Sequence, residues 1–427
     1  MPEKYYESPR WTAEYLDCSM PVTFDTYNKC SGNCLYCFSV FLKSNLMGES
    51  QDKGVVNYRK TGVRFVNIAS IKSLFSGRES TFSNYIKERK VMQWGGLADQ
   101  FDMSEYSMGK TLELMKFFDE IDYPLSYSTK FTWWTLDKRY MNLFAKHTHN
   151  WHIKFSIINY DKKRSALMEN GIPTPEERLR AMGRLSKLGI ITTLRLRPFI
   201  IGFSNKDNEH IKLIERAGQE GAYSLSTEFM CIEGRADDKL KYRYSKISKV
   251  VGYNVYEFYK KMSVAAGYYR LNYEIKEKYI AEMKRACDKA GMKMYVSDAH
   301  HKEKCANGSC CGLPPEMNYS RGQFTEALVI AREKGEVRFS DIMKDAEHLL
   351  SVLYTNTGAS RGMNAATRCK NLGLSLYQVM RNIWNTPNDF HSPYKHYSGV
   401  VIPNGVDSNG DIIYKFNKKK YEDSLNK

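Results

Sequence analysis

No run of apolar residues approaches the ~20 needed to cross a bilayer, which excludes a helical membrane span. The first residues, MPEKYYESPR, are polar and lack the apolar core of a signal peptide, so the expected location is the cytoplasm. No internal repeat and no low-complexity linker interrupts the chain, so nothing suggests a solenoid or flexibly strung modules. Acidic residues are in deficit: 48 Asp and Glu stand against 64 Lys and Arg, a formal charge of +16. That excess favours a polyanionic partner such as nucleic acid through counterion release and steering, while Lys-rich faces are also ordinary solvated surface. What is present suffices for a large core: 427 residues, 42% hydrophobic and 13% aromatic. Most of the ten cysteines fall in two clusters, and in a reducing compartment they read as metal ligands rather than a disulfide framework.

The first cluster is Cys30-Ser31-Gly32-Asn33-Cys34-Leu35-Tyr36-Cys37, a CxxxCxxC spacing with an aromatic residue before the last cysteine. Three thiolates on one tight loop can hold three irons of a four-iron, four-sulfur (4Fe-4S) cluster, and the missing fourth ligand leaves one iron open to a small molecule. The alternatives are a partial zinc knuckle or three buried free thiols. Against a closed zinc site, no fourth cysteine or histidine lies near; the next downstream is His147.

At this loop the chain resembles the radical S-adenosylmethionine (SAM) superfamily, whose signature is CxxxCxxC with an aromatic at the position of Tyr36. The resemblance implies that the open iron chelates SAM by its amino and carboxylate groups. One electron from the cluster, supplied by a low-potential donor, then splits SAM into methionine and a 5'-deoxyadenosyl radical. A strand over Val91 to Trp94 ends in Gly95-Gly96, where the absence of side chains lets backbone approach a ligand. This matches the superfamily's glycine motif, whose backbone binds the SAM amino group. The acidic residue that often closes the motif is absent at Leu97, and Asp99 is the candidate substitute.

Further along, strands and helices alternate. Strands are expected over residues 20–27, 91–94, 124–130, 152–158, 191–200, 222–230 and 292–298. Helices are expected over about 70–90, 109–121, 137–147, 173–188 and 208–219, with a long basic helical insertion reaching about Gly291. Thr174, Pro175 and Glu177 supply a capping box with proline at the first helical position, and Gly189 stops that helix. Strands spaced by single helices mean parallel βαβ units, and six or seven without a plausible eighth suggest an α/β fold: a partial (β/α)6 TIM-type barrel. Ligands then lie at the carboxyl ends of the strands. The core is expected over residues 1–298, a Cys-rich loop over 299–318 and a C-terminal region over 319–427.

Within the superfamily the series is most similar to the spore photoproduct lyase-like branch, a group of DNA repair photolyases. The likeness runs from about Pro21 to Asp298. It rests on GGLADQF after the second strand, STK ending the third, FSI in the fourth, and TPEERLRAMGRLSKLGIITTLRLRPFIIGF. It implies that Lys130 meets the SAM carboxylate and Ser156 its ribose, roles that suit an ammonium and a hydroxyl. Arg195 and Arg197, two apart on one strand, face the same side, and Arg197 is taken as a SAM or substrate contact. The lyase places a hydrogen-donating cysteine in the loop corresponding to GGLAD, and here that stretch has none. The likeness therefore speaks for architecture more than for reaction.

The second cluster is Asp298-Ala299-His300-His301-Lys302-Glu303-Lys304-Cys305-Ala306-Asn307-Gly308-Ser309-Cys310-Cys311-Gly312. It reads as an auxiliary iron-sulfur cluster on Cys305, Cys310 and Cys311 with a fourth ligand from Cys231, Cys287 or a histidine, as a zinc site, as redox or hydrogen-donating thiols at Cys310 and Cys311, or as an unliganded loop. Cys18 lies outside the first motif and reads as a buried thiol. After the first cluster the run FSVFLKSNLM looks helical and residues 48–64 a surface excursion. The C-terminal region is expected as helices over GQFTEALVIAREKG, FSDIMKDAEHLLSVLYT and LSLYQVMRNIW, a cap over the active site or a helix-turn-helix reader. A β-hairpin around Asp407-Ser408-Asn409-Gly410 and a frayed charged tail follow. The leading expectation is a radical SAM enzyme acting on a nucleic-acid base or nucleotide. The alternatives are a peptide- or protein-modifying radical SAM enzyme with an auxiliary cluster, and a non-catalytic iron-sulfur or zinc protein that binds nucleic acid.

Overall fold

Segments in which apolar residues alternate with small or charged ones make one eight-stranded sheet in the computed structural model. Its strands are β1 (Arg10–Trp11), β2 (Val22–Phe24), β3 (Met92–Trp94), β4 (Leu125–Thr129), β5 (Trp151–Ser156), β6 (Ile191–Phe199), β7 (Ser224–Phe229) and β8 (Lys293–Val296). The structure describes residues 9–12, 14–39, 62–233, 238–266, 268–298, 300–358 and 369–425. The run FSVFLKSNLM and the excursion over 48–64 fall mostly outside them.

β2 to β8 are parallel and stand in chain order, with β1 antiparallel on β2. Each parallel neighbour needs a crossover. Helices Lys110–Glu120, Lys138–Lys146, Pro175–Lys187, Glu209–Gln219 and Tyr273–Lys289 supply those between β3 and β8. The fold is mixed α/β with a parallel-dominated sheet, and it holds seven parallel strands where the (β/α)6 reading counts six. Pro175–Lys187 begins as its sequence predicts: the Glu177 N–H donates to Thr174 Oγ1 (3.3 Å) and the Thr174 N–H donates to the Glu177 carboxylate (2.6 Å). Such a cap is worth ~1 kcal/mol.

Alternation along the strands separates two buried faces. On the helix side, the Trp94 ring lies 4.7 Å from Phe24, 5.3 Å from Tyr127 and 5.5 Å from Phe118. The opposite face is polar, with Ser126 in register with His152, Lys154 with Thr193, and Ser156 with Arg195. Strands buried on both faces are ordinarily apolar throughout, so a buried polar face marks where the sheet serves a site.

Four stretches differ from their expected elements. The helix over 70–90 is two, Ile68–Phe75 and Ser83–Lys87, broken where Gly77 adopts φ +107°. The insertion is not wholly helical: after Asp238–Val251 and Val255–Met262, a hairpin of Ser263–Ala266 and Tyr268–Leu271 pairs with Ile232–Glu233. The helix over 339–355 stops at Met343 and continues as 3-10 turns, because tertiary bonds capture His348: its ring nitrogens meet Glu88 (2.7 Å) and Ser320 Oγ (2.8 Å). The charged tail is a helix, Lys418–Leu425, whose start is fixed by the Lys420 N–H donating to Asn417 Oδ1 (3.2 Å). Helices Phe324–Lys334 and Leu376–Trp384 and the hairpin Val401–Val406 with Ile412–Phe416 stand near their expected places, and Glu336–Val337 adds a third strand to that hairpin.

Candidate active site

The loop from Cys30 to Cys37 is fastened to two connections that leave carboxyl ends of strands. After β3, Asp102 Oδ2 accepts from the Ser31 N–H at 2.6 Å. After β5, Asn33–Cys34 pairs antiparallel with Glu169–Asn170, and the Leu35 N–H donates to the Met168 carbonyl at 2.8 Å. Arg243 closes the loop's far end by donating to the carbonyls of Leu35 and Cys37. A Cβ at Gly32 would sit 2.5 Å from Ile172 Cδ1, so the loop's glycine is demanded by packing. The Tyr36 hydroxyl donates to Glu169, Glu169 pairs with Arg178 at 2.6 Å with both side chains buried, and Arg178 donates to the Ser156 carbonyl at 2.6 Å. One buried chain thus runs from the aromatic residue of the motif to the end of β5.

Burial pushes the Cys30 thiol up, with further contributions from the charges of Cys37 and Cys34. Burial pushes the Cys34 thiol up to about 12, against the pull of Lys130. Cys30 and Cys34, whose ionisation the neighbouring thiols oppose, stand with Cys37 as a donor set whose charge a metal centre balances, so the three cysteines fit the iron cluster that the motif implies.

Gly95 follows β3 at φ +91°, and a Cβ there would meet Gln100 Oε1 at 2.1 Å and the Ser128 carbonyl at 2.8 Å. At Gly96 it would meet Thr23 Oγ1 at 2.6 Å. Asp99 is committed to structure: its carboxylate accepts from the Lys130 N–H (2.6 Å), the Thr129 hydroxyl (2.8 Å) and the Phe101 N–H (3.0 Å). Lys130, first after β4, holds its ammonium 5.6 Å from the Tyr36 ring centroid. Among the described residues that ammonium makes no ion pair. Ser156 Oγ accepts from Arg195 at 3.3 Å. Arg197, the expected SAM or substrate contact, pairs with Glu228 and donates to Ser297 Oγ at 3.0 Å. Arg195 is the arginine turned toward Ser156 and Tyr36, and burial lowers it to about 10.

Cys310-Cys311-Gly312 is laid on the polar face of the sheet. The Cys310 carbonyl accepts from Ser297 Oγ (2.8 Å) and Ser226 Oγ (3.0 Å), and the Gly312 carbonyl from Ser224 Oγ (3.1 Å). A Cβ on Gly312, at φ +87°, would meet the hydroxyls of Ser224 and Thr193 at 2.6 Å each. Beneath it, Lys154 Nζ donates to Ser126 Oγ (2.9 Å), and His152 bridges Ser126 Oγ (2.8 Å) and Thr193 Oγ1 (2.7 Å). Burial lowers Lys154 to about 8, and the charges of Cys311, Arg195 and Arg197 also reach it. The two thiols are 3.9 Å apart. The hydrogen bond from Cys310 holds Cys311 low, at about 6, where it faces Lys154 and Arg197, and the Cys310 thiol is pushed up. The charges of both Cys311 and Tyr36 reach Arg195.

Lys154, His152, Arg178, Glu169 and Arg243 are site residues that the motifs do not reveal. The signal for the first two is the alternation in WHIKFS and SLST, a polar register inside strands buried on both faces. His300 and His301 turn from the cysteines toward the helix Tyr273–Lys289: the His301 ring stacks 4.0 Å from Tyr273 and its Nε2 lies 3.4 Å from the Tyr273 carbonyl. Cys287, a fourth-ligand candidate by sequence, is instead part of the hydrophobic core.

No protein-family model and no curated protein matches the chain. Similar solved structures include a variant of spore photoproduct lyase, at 16% identity and TM-score 0.49, covering 69% of this chain and 80% of that one. A second is that lyase complexed with dinucleoside spore photoproduct, at 18% identity and TM-score 0.47, covering 65% and 76%. A third is Streptococcus suis SuiB bound to S-adenosylmethionine, at 10% identity and TM-score 0.38, covering 66% and 51%. These are radical SAM enzymes, the superfamily that the cysteine loop resembles.

Proposed function

We propose that the protein is a radical SAM enzyme that acts on a nucleic-acid base or nucleotide, with Cys30, Cys34 and Cys37 as the ligands of a 4Fe-4S cluster. The observation that carries this reading is the cysteine loop pinned over strand ends beside the ammonium of Lys130, which makes no ion pair among the described residues. With the cluster bound, one electron from a low-potential donor cleaves SAM into methionine and a 5'-deoxyadenosyl radical. The chain's own groups bind and orient. Backbone at Gly95 and Gly96 is the candidate partner of the amino group, Lys130 suits the carboxylate and Ser156 the ribose diol. Arg195 takes the place that the sequence assigns to Arg197, and Asp99 acts by holding the Lys130 backbone.

Sequential parallel order supports a partial barrel, since right-handed crossovers put every helix on one face and leave the polar face to be enclosed by curling. The core then spans residues 1–298, the Cys-rich loop 299–318 and a C-terminal cap 319–427. The charge of +16 supports the nucleic-acid substrate. Two buried thiol loops suit a reducing, cytoplasmic setting.

Anaerobic reconstitution with iron and sulfide, followed by chemical reduction, is expected to give 4Fe-4S absorbance and 5'-deoxyadenosine. Replacing Cys30, Cys34 and Cys37 together by Ala removes the nucleoside and leaves the far-ultraviolet circular dichroism unchanged. Continued 5'-deoxyadenosine formation in that variant overturns the reading. Salt-dependent binding to DNA or RNA separates a nucleic-acid substrate from a peptide, and absence of binding at low salt removes the former.

A further inference from the structure

Gln100 is 1% exposed, and among the described residues neither the oxygen nor the nitrogen of its side-chain amide meets a hydrogen-bonding group. Its place is set by the backbone on both sides. The Gln100 carbonyl accepts from Thr111 Oγ1 at 2.8 Å, and Asp99 before it is tied to the Lys130 N–H and the Thr129 hydroxyl. The amide is thereby pressed against Gly95, where an added Cβ would collide with Gln100 Oε1. Glycine at this position therefore admits the amide to the carboxyl end of β3.

Ser128 is a second group of this kind. It is 5% exposed, and its Oγ also has no hydrogen-bonding partner among the described residues. Trp94 and Tyr127 are in register, so Ser128 stands next to Gly95 in the sheet, and its carbonyl lies 2.8 Å from the same Cβ position. Ser128 is two residues on from Ser126 and so shares the polar face of β4, with Lys130 two residues further at the strand's end. Burying an amide and a hydroxyl without partners costs free energy, and apolar side chains of the same volume would avoid that cost. Such groups in a folded protein call for an explanation.

Together the pair offers two uncharged oxygen acceptors beside a lysine ammonium. The head of an α-amino acid carries the complementary groups, N–H donors next to a carboxylate. We propose that Gln100 Oε1 and Ser128 Oγ accept from the amino group of SAM while Lys130 takes its carboxylate. The inference rests on the reading of this site as a SAM site and adds two side chains to the glycine backbone. It gives the place of the acidic residue absent at Leu97 to a neutral side chain. Asp99, the candidate by sequence, has its carboxylate engaged by the Lys130 N–H, the Thr129 hydroxyl and the Phe101 N–H.

The test uses the full-length chain after anaerobic reconstitution, with SAM and its analogue lacking the α-amino group as the two probes in calorimetric titration. Gln100→Met, which keeps the shape of the side chain and removes the amide, is expected to weaken SAM binding roughly tenfold and binding of the analogue less than about twofold. Gln100→Glu, which keeps an acceptor oxygen at the same reach, is expected to bind SAM within about threefold of the parent. Without SAM, Gln100→Met is expected to unfold at a urea concentration equal to or above that of the parent, because a buried amide without a partner has been removed; a purely structural residue would move the midpoint down. Unchanged SAM affinity in Gln100→Met, equal losses for SAM and the analogue, a loss in Gln100→Glu as large as in Gln100→Met, or a lowered urea midpoint overturns the inference and leaves the SAM reading standing. A parent chain that binds neither probe overturns the SAM reading and this inference with it.

Discussion

Lys130 presents its ammonium beside the aromatic residue of the cysteine loop. Its backbone is fixed by Asp99, its ammonium lies 5.6 Å from the Tyr36 ring centroid, and among the described residues that ammonium makes no ion pair within 4 Å. A charge-assisted contact to a ligand carboxylate is worth ~1.5–3 kcal/mol, so Lys130→Ala is expected to weaken SAM binding roughly ten- to hundredfold in calorimetric titration. Lys130→Arg, which keeps the charge, is expected to recover part of the loss. Unchanged affinity in the alanine variant transfers the carboxylate to Arg195. The motif makes Lys130 legible, since a lysine after a strand end can be read from STK alone. The difference between Arg195 and Arg197 is not legible for a reason equally local: alternation says that they share a face, and only the position of Glu228 on the adjacent strand decides which of them it engages.

The cysteine loop has little regular structure of its own, and neighbouring elements impose its shape. One of its fastenings is the buried pair of Glu169 with Arg178, which joins the loop's strand partner to the helix Pro175–Lys187. Removing one member of a buried pair strands the other without its counter-charge, typically at ~3–5 kcal/mol. Arg178→Met is therefore expected to lower stability by about that amount in chemical denaturation and to loosen Tyr36, reducing cluster retention. Arg178→Met combined with Glu169→Leu is expected to restore most of the stability but not the Tyr36 contact. A stability equal to the parent in the single variant contradicts this account. The cap of that helix is readable because Thr174 and Glu177 are three residues apart. The ion pair is not, because an arginine inside an amphipathic helix looks solvated until the fold buries it. The hairpin in the insertion escapes the sequence for the opposite reason: SVAAGYYRL is short, and the basic helical pattern on both sides masks its β-branched and aromatic content.

Across the molecule, the sheet is legible and the closure of its polar face is not. Regular alternation of strand and helix dictates sequential parallel order, whereas the meeting of Ser19 with Ser309 and Ser320 joins distant segments that no local pattern announces. The same closure buries titratable groups between the loop and the helix Tyr273–Lys289, and it sets how the whole chain responds to acid. Burial lowers His300 to about 4, and the charge of Lys276 adds to this against the pull of Asp298; His301 and His396 also repel its protonated form. Asp298 resists burial through its 2.5 Å pair with Lys276 and stays well below the ordinary carboxylate range, and Asp17 does so through His396. All three bind fewer protons folded than unfolded. For His300 the stabilisation of the neutral ring is complete above its unfolded value near 6.5 and is lost as pH falls toward 4. Across that window His300 alone accounts for at most about 3 kcal/mol. The urea midpoint is therefore expected to fall between pH 6.5 and 4, and to fall further below 4 as Asp298 and Asp17 take up protons. His300→Gln, which cannot be protonated, is expected to flatten the upper part of that profile and leave the lower part in place. A parent midpoint constant from pH 6.5 to 4, or an unaltered slope in His300→Gln, shows that His300 does not couple acid to unfolding.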